Sequence, residues 1–254
     1  MMELAMGTVQ LGMVYGIANY KGMLTDREAD RLLDAAWDNG IRSFDSAPEC
    51  GSAEKRIDDW RLRHPTRQVK VTSRVRPVDD ESRFHAYDSR LWHVWGEDEI
   101  RHLDHKRNVD GVSLYNEEQV RWTDFQCGIY QLPASALDGR NDAIIRELKA
   151  KHYIVQIRSL FLQGHALQLP FLHKVASDYT MSVPELCVRW AHTLSCDMAV
   201  VGMETPKQIE ENAKAFAMGP LPPSLVEQVY EIRRDIPEWA ITMRMWHQAY
   251  NFGE

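Results

Sequence analysis

Strand-like runs and helical patterns alternate along the whole 254-residue chain, and that alternation constrains the fold more than any other feature. Apolar or alternating runs fall at residues 4–9, 41–45, 69–74, 88–95, 109–115, 128–134, 153–161 and 198–202. Consecutive strands joined through helices pair in parallel. Eight such units in 254 residues match the size of one α/β (β/α)8 TIM barrel, read as a single domain over 1–254. No repeat, linker or low-complexity tract interrupts the series.

The helices carry their own punctuation. Thr25-Asp26-Arg27-Glu28 is a capping box, followed by Ala29, Leu32, Leu33, Ala36 and Trp37 at helical spacing, so Trp37 is expected in the core. Gly40 ends that stripe. Ser182-Val183-Pro184-Glu185 and Thr205-Pro206-Lys207-Gln208 open two more helices, the first burying Cys187. Only thirteen residues separate Arg74 from Asp88, and Pro77 interrupts them. A shortened third crossover helix of at most a couple of turns follows, leaving one flank of the barrel thinly covered.

Composition narrows the function. A formal charge of −7, without a basic run, argues against nucleic acid or an anionic membrane as partner. The apolar runs are too short to span a bilayer, and the N-terminus lacks a signal-peptide pattern. The four cysteines show no metal-binding spacing, so reduced thiols and a cytoplasmic location are expected. The partner expected is a small molecule, with a homodimer left open.

The most informative stretch is Phe44-Asp45-Ser46-Ala47-Pro48-Glu49-Cys50-Gly51-Ser52-Ala53-Glu54. Asp45 ends a strand, Pro48 and Gly51 stop it, and Ser52-Ala53-Glu54 opens a helix. A carboxylate at the carboxyl end of a barrel strand stands where this fold places its chemistry. A structural ion pair with Arg74 is the other reading of Asp45. His93 is a site residue or a hydrogen-bonded core histidine. Alternation puts Leu91, His93 and Trp95 on one strand face, with Trp95 overhanging any substrate beside His93.

The Asp45 stretch resembles the aldo-keto reductase signature: a strand ending in Asp, then Thr-Ala, two residues, Tyr-Gly and Ser-x-Glu. Here Ser46 replaces the Thr and Cys50 stands at the catalytic Tyr. Gly7-Thr8-Val9-Gln10-Leu11-Gly12 and Tyr15-Gly16-Ile17-Ala18-Asn19 resemble a bacterial polysaccharide-biosynthesis-like subgroup of that superfamily. Gly111 to Tyr115, Tyr130 to Pro133, Arg158 to Gly164 and Val201-Gly202 extend the likeness over most of the chain.

The resemblance implies hydride transfer between a nicotinamide and a carbonyl, with a degenerate catalytic tetrad: Asp45 and His93 kept, Arg74 at the Lys position and Cys50 at the Tyr position. It further implies that Ser113 and Gln131 hold the carboxamide and that Arg158 replaces a stacking Tyr. Ser159 to Gly164 would carry the pyrophosphate, while Glu204, Gln208, Glu211 and Asn212 would meet the adenosine end. Glu49 and Trp95 would face substrate. Glu204 stands where NADP-preferring members have a basic residue, so NAD(H) is favoured over NADP(H). Without the resemblance, the segment from Glu204 to Asn212 reads equally as a well-capped surface helix.

Cys50 admits two readings, a small loop filler or a catalytic thiol. A thiol lies several bonds nearer the backbone than a phenol, so reach rather than acidity is its obstacle. The leading expectation is an NAD(P)-dependent oxidoreductase acting on a small polar carbonyl or sugar-derived substrate. The alternatives are a non-redox acid-base enzyme (lyase, dehydratase or epimerase), which needs no cofactor, and a non-catalytic binding protein.

Overall fold

The computed structural model describes residues 2–77, 87–100, 103, 109–123, 127–237 and 241, with Glu97 described by its backbone alone. Its strands form a closed parallel barrel in sequence order. β1 (Glu3–Gly7) is followed by a one-turn helix α1 (Val9–Gly12) and by α2 (Asp26–Asp38); β2 (Ser43–Ser46) leads into α3 (Ala53–Arg63). Then come β3 (Lys70–Val75), β4 (Ser89–His93), α4 (Glu97–Ile100), β5 (Gly111–Ser113) and α5 (Glu117–Trp122). β6 (Ile129–Pro133), α6 (Asp142–Ala150), β7 (Ile154–Arg158), α7 (Pro170–Asp178) and α8 (Val183–Trp190) follow. β8 (Met198–Gly202) closes the barrel against β1, and α9 (Pro206–Ala217) and α10 (Pro223–Asp235) complete the outer ring.

The expected caps form. Thr25 and Glu28 exchange both capping-box hydrogen bonds at the start of α2, and Ser182 and Thr205 each accept the backbone N–H three residues on. Each such cap contributes about 1 kcal/mol. Trp60 and Trp190 are fully buried between barrel and helices, and Trp60 Nε1 donates to Asp34 at 3.1 Å. Cys187 is fully buried, as its helical spacing predicts. Trp37 is not a core residue: it is half-buried beneath the Arg42 guanidinium, 3.6 Å from the ring centroid. At the edge of the stripe it packs against the margin of the core, and a long cation covers its ring.

Several strands are shorter than their apolar runs. β1 stops at Gly7 because Val9 already opens α1. β4 ends at His93, which releases Trp95 from the sheet, and β5 keeps only three residues. β7 ends at Arg158 because Ser159 turns to a φ of 67°. The shortened third crossover falls on residues 78–86, outside the described residues.

Register sets up the site. Asp45 pairs with Thr72, Arg74 with Leu91, His93 with Ser113 and Ser113 with Gln131. Side chains alternate along a strand, so Asp45, Arg74, His93, Ser113, Gln131 and Gln156 fall in one inward-facing set near the carboxyl ends. A hydrogen bond of 2.7 Å from Gln131 Nε2 on β6 to Asp45 Oδ2 on β2 crosses the barrel lumen and confirms that orientation.

Candidate active site

The loop between β2 and α3 is held by close backbone contact. A Cβ on Gly12 would lie 1.9 Å from the Cys50 carbonyl oxygen, and one on Gly51, whose φ is 62°, would lie 2.4 Å from the Gly12 oxygen. Only glycine permits α1 to press this tightly on the turn at Pro48–Cys50. Thr8 adds two hydrogen bonds to the Asp45 carbonyl, 3.0 Å from its N–H and 2.9 Å from Oγ1. Beneath, Ser73 donates to the buried Glu54 carboxylate at 2.7 Å.

On that support stands a chain of polar groups. Asp45 is 2% exposed and its Oδ1 lies 3.0 Å from Arg74 Nε, an ion pair whose angle is too oblique for a good hydrogen bond. Arg74 Nη1 lies 3.1 Å from His93 Nδ1, and His93 Nε2 lies 3.1 Å from the Tyr115 hydroxyl. The Arg158 guanidinium sits 4.5 Å from the Tyr115 ring centroid and donates to the Leu114 carbonyl at 3.0 Å. Trp95, 58% exposed, meets the His93 ring edge-on at 5.7 Å. Its backbone N–H donates to Glu99, which also accepts from Arg76.

Burial and charge set the protonation states. Burial pulls Arg74 toward neutrality, but the Asp45 carboxylate, together with Cys50, Tyr115 and Tyr15, more than offsets this and the guanidinium stays charged. Burial, reinforced by Arg74, Arg158 and Arg76, holds His93 well below the usual imidazole range. Burial lowers Arg158, and Arg74 adds to the effect. Burial pushes the Cys50 thiol up to about 11 against the opposing pull of Arg74. Tyr15 is likewise raised by burial and opposed by Arg158 and Arg74.

These groups line one cavity of about 450 Å³ at the carboxyl ends of the strands. Asp45, Cys50, Glu49, Arg74, His93, Trp95, Tyr115 and Arg158 line one end; Ser159, Gly164, Glu204, Gln208, Glu211 and Asn212 continue the wall. Thirteen of the fifteen positions named from sequence, joined by Tyr15 and Tyr115, therefore share a cavity whose size suits a small molecule or cofactor. Ser113 and Gln131 do not line it. Both are fully buried below the floor, with Ser113 Oγ donating to Gln131 and Gln131 Nε2 donating to Asp45 and, at 3.0 Å, to Gln156. A carboxamide could reach them only if these bonds exchanged.

The far wall is shaped by strained backbone. Ser159, Leu162 and Gln163 take positive φ at 67°, 48° and 55°, each costing about 1 kcal/mol for a residue with a Cβ. The β1 loop overlies this turn: Ile17 N–H donates to the Gln163 carbonyl at 2.9 Å, and a Cβ on Gly164 would meet Ala18 at 2.7 Å. At α9, Glu204 N–H donates to Gln208 Oε1 at 2.7 Å, and burial raises the Glu204 carboxyl above its ordinary value.

Among the described residues no cluster of three or more potential metal ligands exists, and no helix is long and apolar enough to cross a membrane. Sequence reasoning gave no role to Tyr15 or Tyr115. Tyr115, two residues past the end of β5, could have been found by extending strand alternation beyond Ser113. Tyr15 lies on a loop, where periodicity carries no information.

The fold and this site define a (β/α)8 barrel with an ionisable cluster at its carboxyl-terminal mouth. The family described as Aldo/keto reductase family matches residues 129–234. That segment begins after the strands bearing Asp45, Arg74 and His93. A D-threo-aldose 1-dehydrogenase from Pseudomonas sp. is 34% identical over 97 residues, covering 31% of this chain and 30% of that protein. A pyridoxal 4-dehydrogenase from Microbacterium luteolum is 38% identical over 80 residues, covering 31% and 22%. The chain thus matches less than a third of either curated relative. In three dimensions, an aldo-keto reductase from Bacillus halodurans in its holo form superposes with a TM-score of 0.71 at 14% identity, over 94% of this chain and 95% of that one. The glycerol dehydrogenase of Gluconobacter oxydans superposes at 0.69 and 17%, over 92% of each. At these identities the likeness is one of fold.

Proposed function

We propose that the chain is an aldo-keto reductase-type NAD(P)-dependent oxidoreductase acting on a small polar carbonyl or sugar-derived substrate, with a degenerate tetrad. The observation that carries this reading is the contact chain Asp45–Arg74–His93 at one end of a cavity whose other wall is the β7 loop and the start of α9. The family match over residues 129–234 and the dehydrogenase names of the curated relatives support it.

The residues present suit a dinucleotide. The turn from Ser159 to Gly164 and the residues Glu204, Gln208, Glu211 and Asn212 would flank it, and the buried Nε of Arg158 has no hydrogen-bond partner among the described residues. A bound nicotinamide would supply the hydride. Arg74, kept charged beside Asp45, polarises a carbonyl oxygen placed beside it, while neutral His93 holds the Arg74 guanidinium through Nδ1. Glu204 disfavours a 2′-phosphate and can accept from a free 2′-hydroxyl, so NAD(H) is preferred to NADP(H).

Fluorescence titration of the purified protein with NADH and NADPH, followed by turnover against a panel of aldoses and small aldehydes, tests the proposal. Saturable NADH binding with carbonyl-dependent oxidation supports it. Failure of both nucleotides to bind at millimolar concentration overturns it in favour of non-redox acid-base chemistry, which the lack of a family tyrosine at Cys50 favours.

A further inference from the structure

We infer that Tyr115 is the proton donor to the substrate carbonyl, taking from the loop after β5 the part that Cys50 cannot play from the β2 loop. The inference rests on the reductase reading above. It begins with hydrogen-bond inventory. A guanidinium has donors only, so the 3.1 Å contact from Arg74 Nη1 obliges His93 Nδ1 to accept. An imidazolium, with a proton on that nitrogen, would set donor against donor. His93 is therefore neutral and carries its proton on Nε2, in agreement with the depression of its pKa by burial and by Arg74.

The Nε2–H then donates to the Tyr115 oxygen at 3.1 Å, which leaves the phenolic O–H unspent on His93. Tyr115 lines the cavity together with the charged Arg74 and with Tyr15. Its ring is faced by the Arg158 guanidinium at 4.5 Å. Cys50 fails on the same page: it is 4% exposed, and burial pushes its thiol up to about 11.

In the reductive direction the carbonyl carbon would gain the hydride that a reduced nicotinamide, once bound, would supply. The carbonyl oxygen takes the proton of Tyr115, breaking the O–H bond and giving an alcohol and a tyrosinate. The tyrosinate is held by His93 Nε2–H and by the field of Arg158 and Arg74. Water entering the cavity returns the proton. In the oxidative direction the same groups run in reverse.

Tyr115→Phe keeps the ring and its cation–π contact and removes only the oxygen. With NADH and the best substrate of the panel, kcat should fall on the order of a hundredfold or more, the usual worth of a general acid, while the NADH Kd stays within about threefold. Nitrogen-15 NMR of the unmodified protein at pH 7 should show His93 protonated on Nε2 and bare on Nδ1, whether or not a substrate is known. A His93 found protonated on Nδ1 or doubly protonated overturns the assignment. So does turnover within a few-fold in Tyr115→Phe, or selective loss in Tyr15→Phe while Tyr115→Phe stays active. No nucleotide binding by the unmodified protein sinks the reductase reading and this step together. Binding with undiminished turnover in Tyr115→Phe sinks this step alone.

Discussion

Asp45→Asn removes one charge from a pair whose atoms lie 3.0 Å apart, on side chains 3% and 15% exposed. At an effective dielectric of about 20, the lost attraction is about 5.5 kcal/mol. Desolvation of Asp45 is relieved in the variant, but Arg74 remains buried without its partner, and breaking such pairs costs roughly 3–5 kcal/mol. Asn also turns an amide N–H toward Arg74 Nε, donor against donor, if its oxygen keeps the bond from Gln131. With an unfolding entropy of about 2.1 cal/mol/K per residue, a 254-residue chain should lose roughly 6–9 °C in Tm. Arg74→Met in the same background should restore most of that loss, because it removes the orphaned charge and refills the volume. Circular dichroism melts of the two single variants and the double variant close the cycle. A loss below about 1 kcal/mol in Asp45→Asn, or strictly additive losses, would refute the buried pair and the account of how Arg74 stays charged.

Cys50→Ala and Cys50→Ser should hold kcat within a few-fold, and iodoacetamide should label Cys50 slowly at pH 8, given a thiol near 11. A hundredfold loss in either variant would reinstate the thiol as proton donor. His93 lies well below its unfolded value of about 6.5, so the unfolded chain binds the extra proton and stability falls as pH drops below about 6.5. Arg74, Arg76 and Arg158 are the charged groups acting on it; His93→Gln should flatten the loss of Tm between pH 6.5 and 5, and an unchanged slope would count against the burial argument. Glu204→Arg should move nucleotide preference toward NADP(H) in calorimetry, whereas tighter NADPH binding by the unmodified protein would show that Glu204 does not face the ribose.

The architecture was readable because two periodicities alternate cleanly. Caps at Thr25, Ser182 and Thr205 form as their local chemistry dictates, since a capping bond depends on residues three apart. What periodicity misjudged were ends and edges. Val9 is apolar and reads as strand, yet the contact of Gly12 with the Cys50 loop makes it the start of a helix. Trp37 sits on an apolar stripe, yet a neighbouring arginine covers it. Both outcomes depend on partners tens of residues away or on an adjacent loop, and no local pattern encodes them.

The site was legible to the extent that strand alternation fixes which side chains share a lumen. Asp45, Arg74 and His93 stand at inward positions of three adjacent strands, so their contact follows from register alone. Register could not show that Gln131 reaches Asp45 across the barrel, nor that this bond draws Ser113 and Gln131 beneath the cavity floor. Nor could it supply the direction of the His93 hydrogen bonds, which depends on a distance from Arg74 that spacing does not give. With lysine at that position the donor would be a flexible ammonium. With Arg74, a rigid fork joins Asp45 on one side to His93 on the other. On the proposed reductase reading, arginine at the lysine position and cysteine at the tyrosine position are thus one rearrangement. Arginine fixes the histidine tautomer, and the fixed tautomer points to the Tyr115 hydroxyl just past β5 rather than to the β2 loop.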